Sequence, residues 1–146
     1  MRIATCIPVI GGLILATPLI AQVLNDDVAL RPDYREGAHY TTVTRGGITE
    51  ELYTSADAIE AARAGDPFPE GTVITMDDFR GGELTRILVM EKRAAWSDRS
   101  DSGSWLFREF APDGTPNMQE DGTRCQSCHA SQGANDYVFT RDNMME

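Results

Sequence analysis

The segment 125-CQSCH-129 limits the fold of this chain more than any other feature, because it lies close to the C-terminus. On a helix, cysteines at positions i and i+3 and a histidine at i+4 lie on one face. Two thiols so placed can form thioether bonds to the two vinyl groups of a haem, and the histidine can bind the iron from the same side. Only 17 residues follow His129, so any sixth iron ligand other than the tail methionines Met144 and Met145 must come from the chain before the motif.

Three other interpretations of Cys125 and Cys128 explain less of the sequence. A structural zinc site needs four ligands, and outside the motif the chain has one histidine, His39, and one cysteine, Cys6. A thioredoxin-like dithiol follows an early strand of a βαβ unit, whereas this motif comes late. A plain disulfide would leave the adjacent histidine unexplained. We therefore predict one covalently attached haem c, held by Cys125 and Cys128, with His129 as the iron ligand.

The first 24 residues form a separate segment. Arg2 precedes an apolar run over residues 7–24, which is typical of a signal peptide. If this run is not cleaved, it forms a helix of about 27 Å, close to the thickness of a hydrocarbon core. Either outcome places residues 25–146, which we predict to be one haem c domain, outside the cytoplasm. The expected location is the periplasm, with the protein either soluble or anchored to the inner membrane by residues 7–24.

The charge balance excludes nucleic acid as a partner. The chain has 13 Lys and Arg against 23 Asp and Glu, which gives a formal net charge of −10. Phosphates would be repelled by such a protein, whereas a basic partner, such as a redox partner protein, would be attracted.

Hydrophobic patterning predicts a chain rich in β-strands with two short helices. An alanine-rich helix begins after Ser55, a favoured N-cap residue, and ends at Gly65. A second helix begins near Gly122 and carries the motif. Runs of β-branched and aromatic residues, separated by turn-forming residues, predict strands over residues 39–44, 48–53, 72–76, 83–92, 105–110 and 138–140.

The late position of the motif argues against two common classes of c-type cytochrome. Small helical electron-transfer cytochromes carry it near the start of the chain, and four-helix cytochromes need three long helices before it, which this sequence does not predict. The sequence instead resembles the cytochrome P460 and cytochrome c′-β family over most of residues 25–146. The segments that carry the resemblance are, in order, 34-YRE-36, 70-EGTVITMD-77, 90-MEK-92, 104-SWLFREF-110, 125-CQSCH-129 and 136-DYVFT-140.

The resemblance implies an α+β fold, with a mainly antiparallel β-sheet, a few short helices and a haem-binding helix near the C-terminus. It implies one haem c, with a histidine on one side of the iron and an open or weakly held position on the other. Members of the family are commonly dimers, so a homodimer is expected. We expect the open position to bind or transform a small diatomic or nitrogen-oxide ligand such as NO.

Met76 separates this sequence from the enzymes of that family. The P460 enzymes oxidise hydroxylamine and carry a lysine cross-linked to the haem, and by alignment this lysine falls at Met76. The only lysine of the chain, Lys92, lies on another predicted strand. Hydroxylamine oxidation is therefore not favoured, and whether the protein is an enzyme stays open. We interpret Met76 as a haem contact; ligation of the iron by its sulfur and plain core packing are the alternatives.

The alternative function is one-electron transfer, with the protein attached to a membrane electron-transfer complex. It requires a sixth iron ligand, for which the chain offers a methionine or His39. Three arginines, Arg86, Arg93 and Arg108, are candidates for binding the haem propionates. The aromatic residues are expected to fill the core and to wall the porphyrin, and an apolar distal wall would favour uncharged ligands such as NO and CO.

Overall fold

The computed structural model of the protein describes residues 27–146, which contain one antiparallel sheet of five strands. Each strand pairs with the next one along the chain, so that the sheet is a simple meander. The strands are β1 (Ala38–Arg45), β2 (Ile48–Thr54), β3 (Val73–Arg80), β4 (Glu83–Lys92) and β5 (Trp105–Phe110). This architecture confirms the predicted α+β fold, including the antiparallel sheet implied by the resemblance.

The helices are short, and their ends follow ordinary capping rules. The Ser55 side chain accepts a hydrogen bond from the Ala58 N–H at 3.2 Å and begins α1. Gly65 adopts a left-handed conformation with φ of 76° and ends α1. Within residues 27–146 the helices are α1 (Ala56–Ala64), α2 (Thr123–His129) and four 3₁₀ helices, Tyr34–Glu36, Ala94–Arg99, Ala130–Asn135 and Arg141–Met145.

The sheet has two apolar faces, because successive side chains of a strand point to opposite sides. The outer face packs against the chain that precedes β1 and against the 3₁₀ helix Ala94–Arg99, and the inner face packs against α1, α2 and the C-terminal tail. The outer cluster contains Val28, Ile87, Val89, Trp96, Leu106 and Phe110. The inner cluster contains Leu52, Ala58, Ala62, Phe68, Ile74, Met90, Trp105, Phe107, Val138 and Met144.

Strand β3 extends further than predicted, and its C-terminal half carries two buried acidic residues. Asp77 accepts hydrogen bonds from the Tyr34 hydroxyl at 2.5 Å and from Arg35 Nε at 2.8 Å. Asp78 accepts one from Arg86 Nε at 2.7 Å. A buried carboxylate is tolerated when charged and polar donors satisfy it. The strand therefore continues past Met76, where the apolar pattern had placed its end.

The predicted strand over residues 138–140 is wrong. Asp136 and Tyr137 adopt left-handed conformations, with φ of 50° and 65°, which interrupt an extended backbone. The next residues form a turn, closed by a 3.4 Å hydrogen bond from the Arg141 N–H to the Val138 carbonyl. The apolar Val138 side chain, 1% exposed, fills the inner cluster instead of extending the sheet.

The predicted leader, residues 1–24, lies outside the described residues, as does Cys6. Across residues 27–146, no helix is both long and apolar enough to cross a membrane. The periplasmic location therefore stays a prediction.

Candidate haem site

Helix α2 begins where the chain passes directly over strand β5. Gly122, with φ of 83°, lies so close to β5 that a Cβ there would come within 2.5 Å of the Phe107 carbonyl oxygen. The Asp121 carboxylate accepts a hydrogen bond from the Thr123 N–H at 2.9 Å at the start of the helix. Glycine is required at position 122, because only it allows this conformation and this close approach. The motif is thereby placed above the inner face of the sheet.

The two cysteines of α2 are not joined to each other in a disulfide bond. Cys125 is partly buried and Cys128 is exposed. Burial raises the pKa of the Cys125 thiol above its ordinary value, and the carboxylate of Glu120 adds to this effect. A redox dithiol needs a lowered thiol pKa, so the environment of Cys125 argues against that interpretation of the motif.

His129 is held in the geometry of a metal ligand. Its Nδ1 lies 2.6 Å from the Tyr137 carbonyl oxygen. A carbonyl can only accept, so Nδ1 donates its proton and Nε2 keeps a free electron pair. Burial lowers the pKa of His129, an effect that the hydrogen bond to Tyr137 opposes in part. The ring packs against Phe107 and Phe139, with centroid separations of 4.6 and 4.9 Å.

A cavity of about 640 Å³ lies between α2 and the inner face of the sheet. Its volume falls within the range of small-molecule and cofactor sites, roughly 300–1,000 Å³. Cys125, Cys128 and His129 all border it. The apolar residues that the five strands contribute to its lining are Val43, Leu52, Ile74, Met76, Leu88, Val89, Met90 and Phe107.

Met76 lies on β3 and borders this cavity together with the motif. It is paired in register with Leu52 of β2 and Leu88 of β4. Met90 also borders the cavity, whereas Met118 is 80% exposed. The structure therefore brings the predicted residue Met76 to the same cavity as the predicted residues of α2.

His39, the other candidate for a sixth ligand, does not border the cavity. Its side chain is exposed on β1 and its Nε2 lies 3.1 Å from the Thr42 hydroxyl. Of the tail methionines, Met144 is buried in the inner cluster and Met145 is 50% exposed. These positions leave Met76 and Met90 as the methionines that border the cavity.

Lys92 does not border the cavity either. Its ammonium group donates hydrogen bonds to the Asp136 carboxylate at 2.6 Å and to the Phe68 carbonyl at 3.0 Å. This lysine is therefore engaged in structural contacts on the inner face, away from the cavity lining.

The arginines at the cavity only partly match those expected from the sequence. Arg108 borders it and pairs with Asp27, but Arg86 and Arg93 do not. Arg45 and Arg124, which sequence reasoning missed, border the cavity and pair with Glu50 and Glu120. Nothing in the sequence pattern distinguished them from ordinary surface arginines.

One side of the cavity carries charge. Glu50 borders it and accepts hydrogen bonds from Arg45 at 2.8 and 3.0 Å. Next along the sheet, Arg86 bridges Asp78 at 2.7 Å and Glu109 at 3.0 Å. Burial alone would raise the pKa of Asp78, but hydrogen bonds from its neighbouring arginines outweigh this effect and lower the pKa. The charged residues that border the cavity are thus Arg45, Glu50, Arg108 and Arg124, and the group formed by Asp78, Arg86 and Glu109 lies outside its lining.

The residues present fit a haem c better than a zinc ion. Two cysteines outside any disulfide, an imidazole with an available Nε2 and an apolar cavity meet at one place. Among residues 27–146, no group of three or more His, Cys, Asp and Glu side chains is arranged to hold a metal ion. The four-ligand set of a structural zinc site is therefore missing from this part of the chain.

Comparison with known proteins identifies a matching family. The family described as Cytochrome P460 has a sequence model that matches residues 31–140. No curated protein gives a match to this chain. The matched region includes all five strands and α2.

Proposed function

Because this chain belongs to the cytochrome P460 family, we propose that Cys125 and Cys128 attach its haem covalently and that His129 binds the iron. The protein is a haem-binding cytochrome, since the family implies a c-type haem with iron. The observation that carries the residue assignment is the 2.6 Å hydrogen bond from His129 Nδ1 to the Tyr137 carbonyl. It supports a fixed tautomer whose Nε2 is the donor to iron.

The proposed activity is binding of a small, uncharged nitrogen-oxide ligand such as NO. Haem held by Cys125, Cys128 and His129 would supply an iron atom to which such a ligand could coordinate. The side chains of Leu52, Met76 and Leu88 wall the cavity with apolar groups. Such walls exclude water and offer no hydrogen-bond partner to anions, and so favour uncharged diatomic ligands.

The absorption spectrum of the ferrous protein, recorded with and without NO or CO, tests this function. We expect a high-spin spectrum that changes on addition of either gas, because under this proposal the iron would have an open or weakly held coordination position. A low-spin, six-coordinate ferrous spectrum that neither gas changes would contradict the proposal. The His129→Ala variant tests the ligand assignment, and His39→Ala is the matched control, since His39 does not border the cavity.

Electron transfer is the second candidate function, because Met76 borders the same cavity as His129. A thioether sixth ligand would raise the reduction potential and block ligand binding. Replacing Met76 with Leu would then convert a low-spin spectrum into a high-spin one. Under the first proposal the same variant keeps its spin state and its affinity for CO. Met90→Leu is the matched control at the neighbouring methionine of the cavity.

Oxidation of hydroxylamine by a cross-linked haem is not proposed. The alignment puts Met76 at the position of the cross-linking lysine, and Lys92, the only lysine, is held by Asp136 and Phe68. The intact mass of the protein should therefore equal that of the chain plus one haem joined by two thioether bonds. The absorbance of the reduced form should show no sign of a further link between side chain and haem.

Export to the periplasm and assembly as a homodimer complete the proposal. The apolar run over residues 7–24 supports export. Cell fractionation and the N-terminal sequence of the purified protein decide between a cleaved signal peptide and a retained inner-membrane anchor. Sedimentation of the purified protein gives its oligomeric state, and a basic redox partner would bind more weakly as salt is added.

A further inference from the structure

The carbonyl that holds His129 belongs to an unusual turn. Asp136 and Tyr137 are consecutive non-glycine residues with φ of 50° and 65°. A left-handed conformation is unfavourable for residues with a side chain, less so for aspartate than for tyrosine. The turn therefore needs contacts from outside itself to persist, and these contacts decide where the Tyr137 carbonyl points.

The Asp136 side chain provides the first set of contacts. Its carboxylate accepts hydrogen bonds from the Phe68 N–H at 2.7 Å and from Lys92 Nζ at 2.6 Å. Lys92 Nζ also donates to the Phe68 carbonyl at 3.0 Å. Both side chains of the ion pair are only 15% exposed. The turn is thus joined to the end of β4 and to the loop after α1 by charge-assisted hydrogen bonds, which are stronger than neutral ones.

The Tyr137 ring provides the second set. It packs so closely on Gly103 that a Cβ at that position would lie 2.6 Å from Tyr137 Cε2. On another side the ring lies against Gly133, where a Cβ would be 3.8 Å from Cε1. The Tyr137 ring is held between Gly103 and Gly133, and the neighbouring Asp136 is paired with Lys92. Tyr137 therefore has little freedom to turn its carbonyl away from His129.

We infer that the Lys92–Asp136 ion pair positions His129 through the Tyr137 carbonyl, and that it thereby sets the electron donation of the proximal imidazole. This inference rests on the proposed ligation of the iron by His129. A hydrogen bond from Nδ1 makes the imidazole a stronger donor at Nε2. Lys92 and Asp136 are positioning residues, since neither touches the cavity.

The iron–histidine stretching band of the ferrous holoprotein, measured by resonance Raman, tests the inference. Lys92→Met and Asp136→Asn should each shift this band to lower frequency, because a loosened turn weakens the hydrogen bond to His129. The lost charges are of opposite sign, so their direct Coulomb effects on the iron oppose each other. A shift in the same direction in both variants therefore reports positioning.

Arg35→Met is the matched control. Arg35 forms an ion pair of similar length, 2.8 Å, with the Asp77 carboxylate on the outer face of the sheet, and the substitution removes this pair. It should leave the band unchanged even if stability falls. A band that is present in the parent and has the same frequency in Lys92→Met and Asp136→Asn would overturn this inference but would leave ligation by His129 standing. A parent band that survives in His129→Ala contradicts ligation by His129 and the inference with it. If the parent keeps a sixth ligand, the band is recorded after photodissociation of its CO complex, because only five-coordinate ferrous haem shows it.

Discussion

The two faces of the sheet have the same alternating pattern but are covered differently. On the outer face the chain covers its own apolar side chains, and Ile87, Val89 and Trp96 are each at most 2% exposed. On the inner face α1, α2 and the tail leave a cavity of about 640 Å³ lined by apolar groups. Phe139, which borders it, is 53% exposed. The inner face thus carries more apolar surface than residues 27–146 cover, which is typical of a binding site.

The largest expected effect is on the inner face, at the proposed attachment points. The double variant Cys125→Ser, Cys128→Ser should lose all covalently bound haem, because serine cannot form a thioether. The measurement is haem-dependent peroxidase staining after denaturing electrophoresis. The matched control is Ser127→Ala on the same helix, whose hydroxyl only donates to the Thr123 carbonyl at 2.9 Å. Staining of the double variant at the parent's level would refute covalent attachment at these cysteines.

On the outer face we expect a large loss of stability without a change in the haem. Phe110 is 5% exposed and belongs to the outer cluster. Replacing it with alanine should lower the free energy of unfolding by about 3–5 kcal/mol, because a cavity is left in a packed core. Denaturant unfolding gives the loss, and the ferrous spectrum with and without CO should stay that of the parent. A changed CO affinity would show that the two faces are not independent.

The residues of both faces could largely be predicted from the sequence. Alternation along 105-WLFREF-110 separates Trp105 and Phe107, now inner, from Leu106 and Phe110, now outer. The spacing in 125-CQSCH-129 places its two cysteines and its histidine beside one cavity. These features follow from local periodicity, which a short window of sequence contains.

The parts of the site that escaped prediction depend on contacts between distant residues. The Tyr137 carbonyl is a backbone atom, so no residue type marks it as the partner of His129. Its direction depends on the contact of Asp136 with Lys92, 44 positions earlier in the chain. Residues 138–140 have the composition of a strand, but the left-handed turn at Asp136 and Tyr137 prevents one from forming. The length of strand β3 was underestimated because the hydrogen-bond donors to its buried acids, Asp77 and Asp78, lie elsewhere in the sequence.

The ion pairs of Asp78 with Arg80 and Arg86 should make stability depend on pH. The pKa of Asp78 is lowered in the folded protein, so its contribution to stability is present above its ordinary pKa of 3.8 and disappears as the pH falls through the folded value. Asp78→Asn should cost about 1.5–3 kcal/mol at neutral pH, as for a lost hydrogen bond to a charged group. The parent and the variant should then converge in acid.

Thermal unfolding between pH 7 and pH 2 measures this convergence. The exposed Asp101 provides the control, because Asp101→Asn should keep the parent's pH profile. If Asp78→Asn loses stability with acid as steeply as the parent, then the ion pairs of Asp78 with Arg80 and Arg86 do not cause the pH dependence.

The smallest predicted effect tests whether α1, which covers part of the inner face, also shapes the cavity. Helix α1 covers the inner face through Ala58 and Ala62 but contributes no residue to the cavity lining. Ser55→Ala removes the N-cap hydrogen bond of α1 and should lower the free energy of unfolding by about 1 kcal/mol. Ser55→Asp, which keeps an acceptor, should restore most of it. Both variants should bind CO with the parent's affinity, and a change in that affinity would mean that α1 helps to shape the ligand site.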